Sequence, residues 1–343
     1  MDTDQEEMQL LGLFGIYKES FKLIFKLRKI FSQITLTLIL PLCFIFFAQE
    51  DVSDTLDQKI WRNKFELSDT ELGTRKHHKL ADLLSLQWAA YILLKIIYHV
   101  FVLAFSLLST SAVVYAIACA YTSRDVTFMK IMSVVPRVWK RLIITFLCAF
   151  LAFAAYNFVF GLVLYLWRKS DYLILDSNFG VVVFVAVLVL YALGFVYMTI
   201  IWQLASVVSV MEDLKGIKAV GKGMRLMKGK VFVAVVIFVK LNVALVAIYC
   251  VFRVFVMSYG FYGFGRASVL EYVGFGALCL LVSMKVVLFG LVVQTVIYFV
   301  CKSCHRENID KLALSEHLEV IYLGEYVPLK AAAKDVQMEE YRV

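Results

Sequence analysis

Polar and apolar positions fall into long blocks along this chain, and the blocks recur. The clearest instance is Asp213–Ile237, DLKGIKAVGKGMRLMKGKVFVAVVI, where a segment studded with lysine and arginine runs straight into a long apolar run. Shifting the chain against itself by 88 positions places Asp125 on Asp213, Lys130 on Lys218, Arg137 on Arg225 and Lys140 on Lys228. A shift of 108 places Lys22 on Lys130, Lys29 on Arg137 and Phe31 on Trp139, again with an apolar run following. The repeating unit is a basic amphipathic segment, an apolar span, a connection and a second apolar span. This divides the chain into an acidic N-terminal tail (1–10), three units (11–120, 121–210 and 211–300) and a polar C-terminal tail (301–343).

Within the first unit, Leu11–Lys29 reads as an amphipathic helix. Lys18, Lys22, Lys26 and Lys29 share one face, while Phe14, Tyr17, Phe21, Ile24 and Leu27 occupy the other. That division is the pattern of a helix lying in a membrane interface. The apolar runs predict spans at Ile30–Ala48, Ile97–Tyr121, Leu142–Trp167, Phe179–Val210, Val231–Met257 and Val273–Val300. Pro41 marks a kink in the first. Gln49–Gln87 reads as a long, mixed-charge connection too small for a core of its own. Thr122–Arg141 is a second basic connection that Pro136 interrupts, and Met211–Lys230 is a third. The expected fold is all-α: a polytopic membrane helical bundle of six transmembrane helices, arranged as three hairpins, each preceded by a basic amphipathic interfacial helix.

Composition removes the soluble alternative. The chain has 343 residues, of which 62% are hydrophobic and 18% charged, with three prolines; mean hydropathy is +0.79. A net charge of +8 in so apolar a chain points to anionic lipid headgroups and topology rather than nucleic acid. Lysine and arginine crowd the N-terminal segment and the second and fourth connections, whereas the third holds Arg168 and Lys169 and the fifth Arg266. The positive-inside rule then places both termini in the cytosol. The expected partners are membrane lipids of the anionic cytosolic leaflet, through Lys18, Lys22, Lys26, Lys29, Lys130, Arg137, Lys215, Lys218, Lys222 and Arg225.

Candidate chemistry is sparse. Lys240 and Lys285 lie inside the fifth and sixth spans, where a charge costs about 3 kcal/mol at a helix centre and normally faces protein or water. They are candidates for a cavity that takes an anionic solute or lipid headgroup, with snorkelling to the interface as the plainer role. Asn157, Gln203 and Asn242 are candidates for hydrogen bonds between helices. Cys301-Lys-Ser-Cys304-His305 has the haem-attachment spacing, but on the cytosolic side; juxtamembrane S-acylation of Cys301 and Cys304 suits that place better, with plain unmodified thiols as the simpler reading. Glu6–Leu11 and Tyr326–Leu329 fit acidic-dileucine and tyrosine sorting patterns that trafficking adaptors read at the termini. No catalytic set, metal-ligand spacing or phosphate loop is present, so no enzyme activity and no cofactor are expected.

The block Leu10–Leu42, LLGLFGIYKESFKLIFKLRKIFSQITLTLILPL, together with Arg137–Phe146 and the Lys215–Lys230 segment, resembles a plant family of multi-pass membrane proteins. Its members are often called polyadenylate-binding protein 1-B-binding protein-like. The resemblance implies an endomembrane or plasma-membrane protein, and it brings no catalytic residues. The RNA-related partner in that name is not expected, since no RNA-binding module is visible. More loosely, the paired spans resemble the membrane domain attached to some bacterial glycerophosphodiester phosphodiesterases. The function expected is non-enzymatic: lipid contact, membrane organisation or trafficking. The alternative is a transporter or channel for an anionic solute or lipid headgroup.

Overall fold

A computed structural model of the chain describes residues 11–70, 74–122, 127–169, 178–212, 214–257 and 269–305. Its elements are helical throughout: α1 (Leu13–Lys26), α2 (Arg28–Ile34), a π-turn (Thr35–Ile39), α3 (Leu40–Asp69), α4 (Arg75–Tyr121), α5 (Phe128–Lys169), α6 (Asn178–Met211), α7 (Ile217–Met227), α8 (Val231–Phe252) ending in a second π-turn (Arg253–Met257), and α9 (Val269–Cys304). Six segments among the described residues are long and apolar enough to cross a membrane: Arg28–Asp69, Arg75–Tyr121, Phe128–Trp167, Gly180–Met211, Val231–Phe255 and Val273–Cys304. This is an all-α integral membrane bundle. Hydrocarbon supplies no partner for a backbone amide, so the helix, which satisfies its own, is the form these runs take.

Three local features differ from the sequence expectation. The polar stretch after the first span is helical: α3 runs without a break to Asp69, and α4 starts again at Arg75. Residues 49–69 and 75–87 contain neither glycine nor proline, so nothing stops the span from continuing. The two helices form an antiparallel hairpin held by Asn63 Nδ2 donating to Gln87 Oε1 at 2.9 Å and Tyr91 OH donating to Asp57 Oδ2 at 3.3 Å. Second, Pro136 does not interrupt its segment. It lies inside α5, costing one backbone hydrogen bond, while buried Val134, Val135 and Val138 on either side pack the helix in place. The second basic segment is thus the first turns of a span and not a separate interfacial helix. Third, α9 continues through Cys304, into the segment expected as tail.

Pro41 acts as its missing N–H dictates. The backbone widens into the π-turn Thr35–Ile39 just before it, the usual accommodation of an unpaired carbonyl. Thr37 Oγ1 donates to Gln33 O at 2.8 Å in the same stretch.

The core lies at one end of the bundle, called here the basic end. The last turns of α4 are its axis: Ala112, Val113, Val114, Ala116, Ile117 and Ala118 are all fully buried. Around them pack Phe31, Ile34 and Ile39, the Leu204–Met211 end of α6, and the Val292–Cys301 end of α9. Toward the other end, α5 and α6 turn Phe150, Leu151, Phe158, Val182, Leu190 and Leu193 outward, forming an apolar belt. Glycines bracket α7, with Gly216 at φ +61° and Gly229 at φ +98°. They let the chain leave α6, lay down α7 and turn back into α8.

α7 crosses α6 closely. A Cβ on Gly223 would meet Ala205 N and Ile201 O at 3.4 Å. Gly223→Ala is therefore tolerated, whereas Gly223→Leu forces the helices apart and costs about 1–3 kcal/mol. Thermal unfolding of the detergent-solubilised variants, with protease access to the α6–α7 connection, checks this ordering.

Candidate functional site

The basic end carries the amphipathic helices. α1 divides its surface three ways. Ile16, Ser20 and Leu23 are buried, and Tyr17 and Phe21 pack on Phe289 of α9 with ring centroids 5.7 and 4.8 Å away. Phe14, Phe21 and Phe25 stay 86%, 51% and 72% exposed, although they are large and apolar. Lys18, Lys22, Lys26 and Lys29 are exposed beside them, with Lys22 3.6 Å from Glu19. A helix of 3.6 residues per turn produces this by placing positions 14, 21 and 25 on one line and 18, 22 and 26 on the next; Leu27, at φ −102° and ψ 23°, breaks the single helix expected over Leu11–Lys29, so Lys29 belongs to α2. The other end of the device is tied down where Lys230 Nζ donates to Leu11 O at 3.4 Å.

α7 is held by two polar clusters. Thr145 Oγ1 lies 2.7 Å from Ser209 Oγ and accepts from Gly216 N at 2.9 Å, joining α5, α6 and the start of α7 inside the core. At the end of α6, Glu212 faces three donors: Lys222 Nζ at 2.7 Å, Lys302 Nζ at 2.9 Å and Tyr298 OH at 2.7 Å. His305 Nε2 lies 3.1 Å from Leu226 O, closing α7 onto α9. Burial alone would push the Glu212 carboxyl up. The hydrogen bonds from Lys222, Lys302 and Tyr298 outweigh burial and hold it below its ordinary value. Lys222 is thereby spent within the protein: its side chain is only 16% exposed, which corrects its expected role as a lipid contact. Lys130, Arg137, Lys215, Lys218 and Arg225 are exposed.

Toward the far end of α8, Arg253 has acidic partners that lie about two hundred positions earlier. Its Nη1 reaches Asp54 Oδ1 at 3.0 Å and Glu50 Oε2 at 3.4 Å, and Tyr249 OH donates to Glu50 Oε2 at 3.0 Å. Lys230 and Arg253 bracket roughly 35 Å of helix, close to the thickness of a bilayer's hydrocarbon core.

Between these ends lies a cavity of about 410 Å³, walled by α3, α4, α6, α8 and α9. Apolar side chains form most of its lining, and Ser106, Gln203, Asn242, Tyr249, Ser283 and Gln294 supply polar groups. Neither Lys240 nor Lys285 is among the lining residues. Both side chains are exposed on the outside of the bundle, because each is offset around its helix from the face that meets the cavity. This corrects the expectation of an anion-attracting cavity built on these two lysines. The intramembrane amides divide. Asn157 Oδ1 accepts from Tyr191 OH at 2.7 Å, joining α5 to α6. Asn242 Nδ2 donates to Phe238 O of its own helix at 2.9 Å, and Gln203 lines the cavity.

Cys301 is fully buried in the packing of α9, and Cys304 is half-buried. The Cys301 thiol is closed to S-acylation as packed, a third correction. Glu6–Leu10 and Tyr326–Leu329 lie outside the described residues. No group of histidine, cysteine and carboxylate side chains able to hold a metal ion occurs among the described residues. Sequence reasoning missed Glu212, the Glu50–Asp54–Arg253 cluster and the cavity. Glu212 carried one signal, an acid at the edge of a strongly basic segment. The others carried none, since their members meet only in three dimensions.

The chain belongs to the family described as Domain of unknown function (DUF8558), which matches residues 1–341. No curated protein and no solved structure matches it.

Replacing Glu212 by Gln removes the charge that both lysines share and costs on the order of 2 kcal/mol. A carboxylate whose folded pKa is depressed adds stability above its unfolded value, about 4.5, and loses it as pH falls from there toward the folded value. Unfolding midpoints of the wild type measured from pH 7 down to 3 therefore drop more steeply than those of Glu212→Gln.

Proposed function

We propose that this chain is a non-enzymatic integral membrane protein that acts through lipid contact, serving membrane organisation or trafficking. Its basic end rests on the anionic cytosolic leaflet of an endomembrane or the plasma membrane. The observation that carries this reading is the three-way face of α1. One side is clamped to the bundle through Ile16, Ser20 and Leu23. Phe14, Phe21 and Phe25 point outward, with lysines 18, 22, 26 and 29 exposed alongside. Exposed phenylalanine in the headgroup–acyl boundary, with lysine directed at headgroups, is what an interfacial helix requires. Each such cation near an anionic leaflet contributes about 1 kcal/mol. Lys215, Lys218 and Arg225 on α7 add to the same end.

The cytosolic placement of both termini follows from the lysine and arginine bias, and the resemblance to the plant family supports the choice of membranes. Trafficking adaptors at Glu6–Leu11 and Tyr326–Leu329 belong to the same proposal. The other reading, a carrier for an anionic solute or headgroup, loses its site with Lys240 and Lys285 outside the cavity.

The test uses the full chain in phosphatidylcholine nanodiscs doped with phosphatidylserine. Wild type retains phosphatidylserine in preference to phosphatidylcholine through detergent extraction, read by native mass spectrometry. Glutamine at Lys18, Lys22, Lys26, Lys215, Lys218 and Arg225 together removes that preference without shifting the unfolding midpoint. Equal retention by variant and wild type overturns the reading. In proteoliposomes, Lys240→Gln combined with Lys285→Gln leaves the flux of small anions where the wild type has it. A loss of flux in that variant would restore the carrier.

A further inference from the structure

The cavity between α3, α4, α6, α8 and α9 has a feature that packing does not explain. The Gln294 side chain lines it, and Nε2 of that amide is buried without a hydrogen-bond partner. A buried amide donor left unmade is costly, and native proteins nearly always satisfy one. Ser283, which is 6% exposed, lines the same space, as do Gln203 and Ser106. The volume, about 410 Å³, falls within the range of small-molecule sites, roughly 300–1,000 Å³.

Charge decides the class of ligand. No lysine, arginine, aspartate or glutamate is among the lining residues. Glu50, which bonds the lining residue Tyr249, is also paired with Arg253. An anionic headgroup would enter a low-dielectric site without a counter-charge, a large penalty. A wholly apolar chain would leave the Gln294 donor unmade. What suits both the walls and the amide is an uncharged amphiphile whose head offers a hydroxyl or carbonyl oxygen. The way in is also visible. Phe46 of α3 and Asn242 of α8 line the cavity and carry exposed surface, which points to the gap between these two helices as the route by which a lipid would enter sideways.

We propose that this cavity is a binding site for a neutral lipid, its hydroxyl or carbonyl oxygen accepting from Gln294 Nε2 and its hydrocarbon against the apolar walls. Ser283 and Gln203 supply further hydrogen bonds to the head. The site is separate from the basic helices, and its test does not depend on them.

Diacylglycerol and sterol share this chemistry, and the experiment separates them. The full chain in phosphatidylcholine nanodiscs is irradiated with a diazirine-bearing diacylglycerol, a diazirine-bearing sterol or a diazirine-bearing phosphatidic acid, and labelled residues are mapped by mass spectrometry. Expected is labelling of α3, α8 and α9 side chains around the cavity by at least one neutral probe, competed by its unlabelled parent. Whichever neutral probe labels better identifies the source. Gln294→Leu, close to the same volume, lowers that labelling by about threefold or more. Gly290→Leu, which fills the cavity from a position whose Cβ would lie 3.9 Å from Leu241, abolishes it. Monodispersity and the unfolding midpoint show that each variant is folded. Three results overturn the proposal: labelling spread evenly over the apolar belt, stronger cavity labelling by phosphatidic acid, or labelling indifferent to Gln294→Leu in folded protein. The last would leave the amide to bound water.

Discussion

A membrane span must satisfy every backbone amide itself, and once it has, the side chains have little apolar reason to associate. Most of the buried packing in this bundle is accordingly gathered at one end, where spans leave the hydrocarbon. There the fully buried turns of α4 from Ala112 to Ala118 are wrapped by the ends of α6 and α9 and by α2. Small and β-branched side chains let these helices approach closely, and Gly223 of α7 sets that helix against the α6 backbone. Further along, α5 and α6 face outward with bare apolar surface, which costs nothing against lipid tails.

Polar contacts then do what apolar packing cannot do in such surroundings: they choose partners. Glu212 collects Lys222, Lys302 and Tyr298 at one end, and Arg253 collects Glu50 and Asp54 toward the other. Each joins segments far apart in the chain, and each is partly shielded, so the attraction is stronger than it would be on an aqueous surface. The first fixes α7 across the bundle and thereby sets which of its cations face outward. The second ties α3 to the far end of α8, the two helices whose Phe46 and Asn242 line the cavity. Lipid-facing chemistry and cavity shape both follow from these two clusters.

The sequence by itself determined the class of protein and its periodic plan. Runs of apolar residues longer than the hydrocarbon is thick leave only membrane helices, and lysines at three- and four-residue spacing require an amphipathic surface on α1 and α7. The sequence marked a kink at Pro41; the structure has a π-turn just before it, since a missing N–H acts locally. Local signals misled where they were read as stops. Pro136 and the charged stretch after Ala48 both sit in continuous helix, because one lost hydrogen bond or a change in polarity does not end a helix that neighbours hold. Tertiary structure alone decided which charges are free. Helical phase turns Lys240 and Lys285 away from the cavity, and long-range ion pairing takes Lys222 inward. It also brings Gln203, Ser283 and Gln294 to one cavity from helices far apart in the chain. No pattern along the chain encodes that meeting, because it depends on how separate helices are rotated against one another, and in lipid that rotation is set by contacts between segments rather than by hydrophobicity.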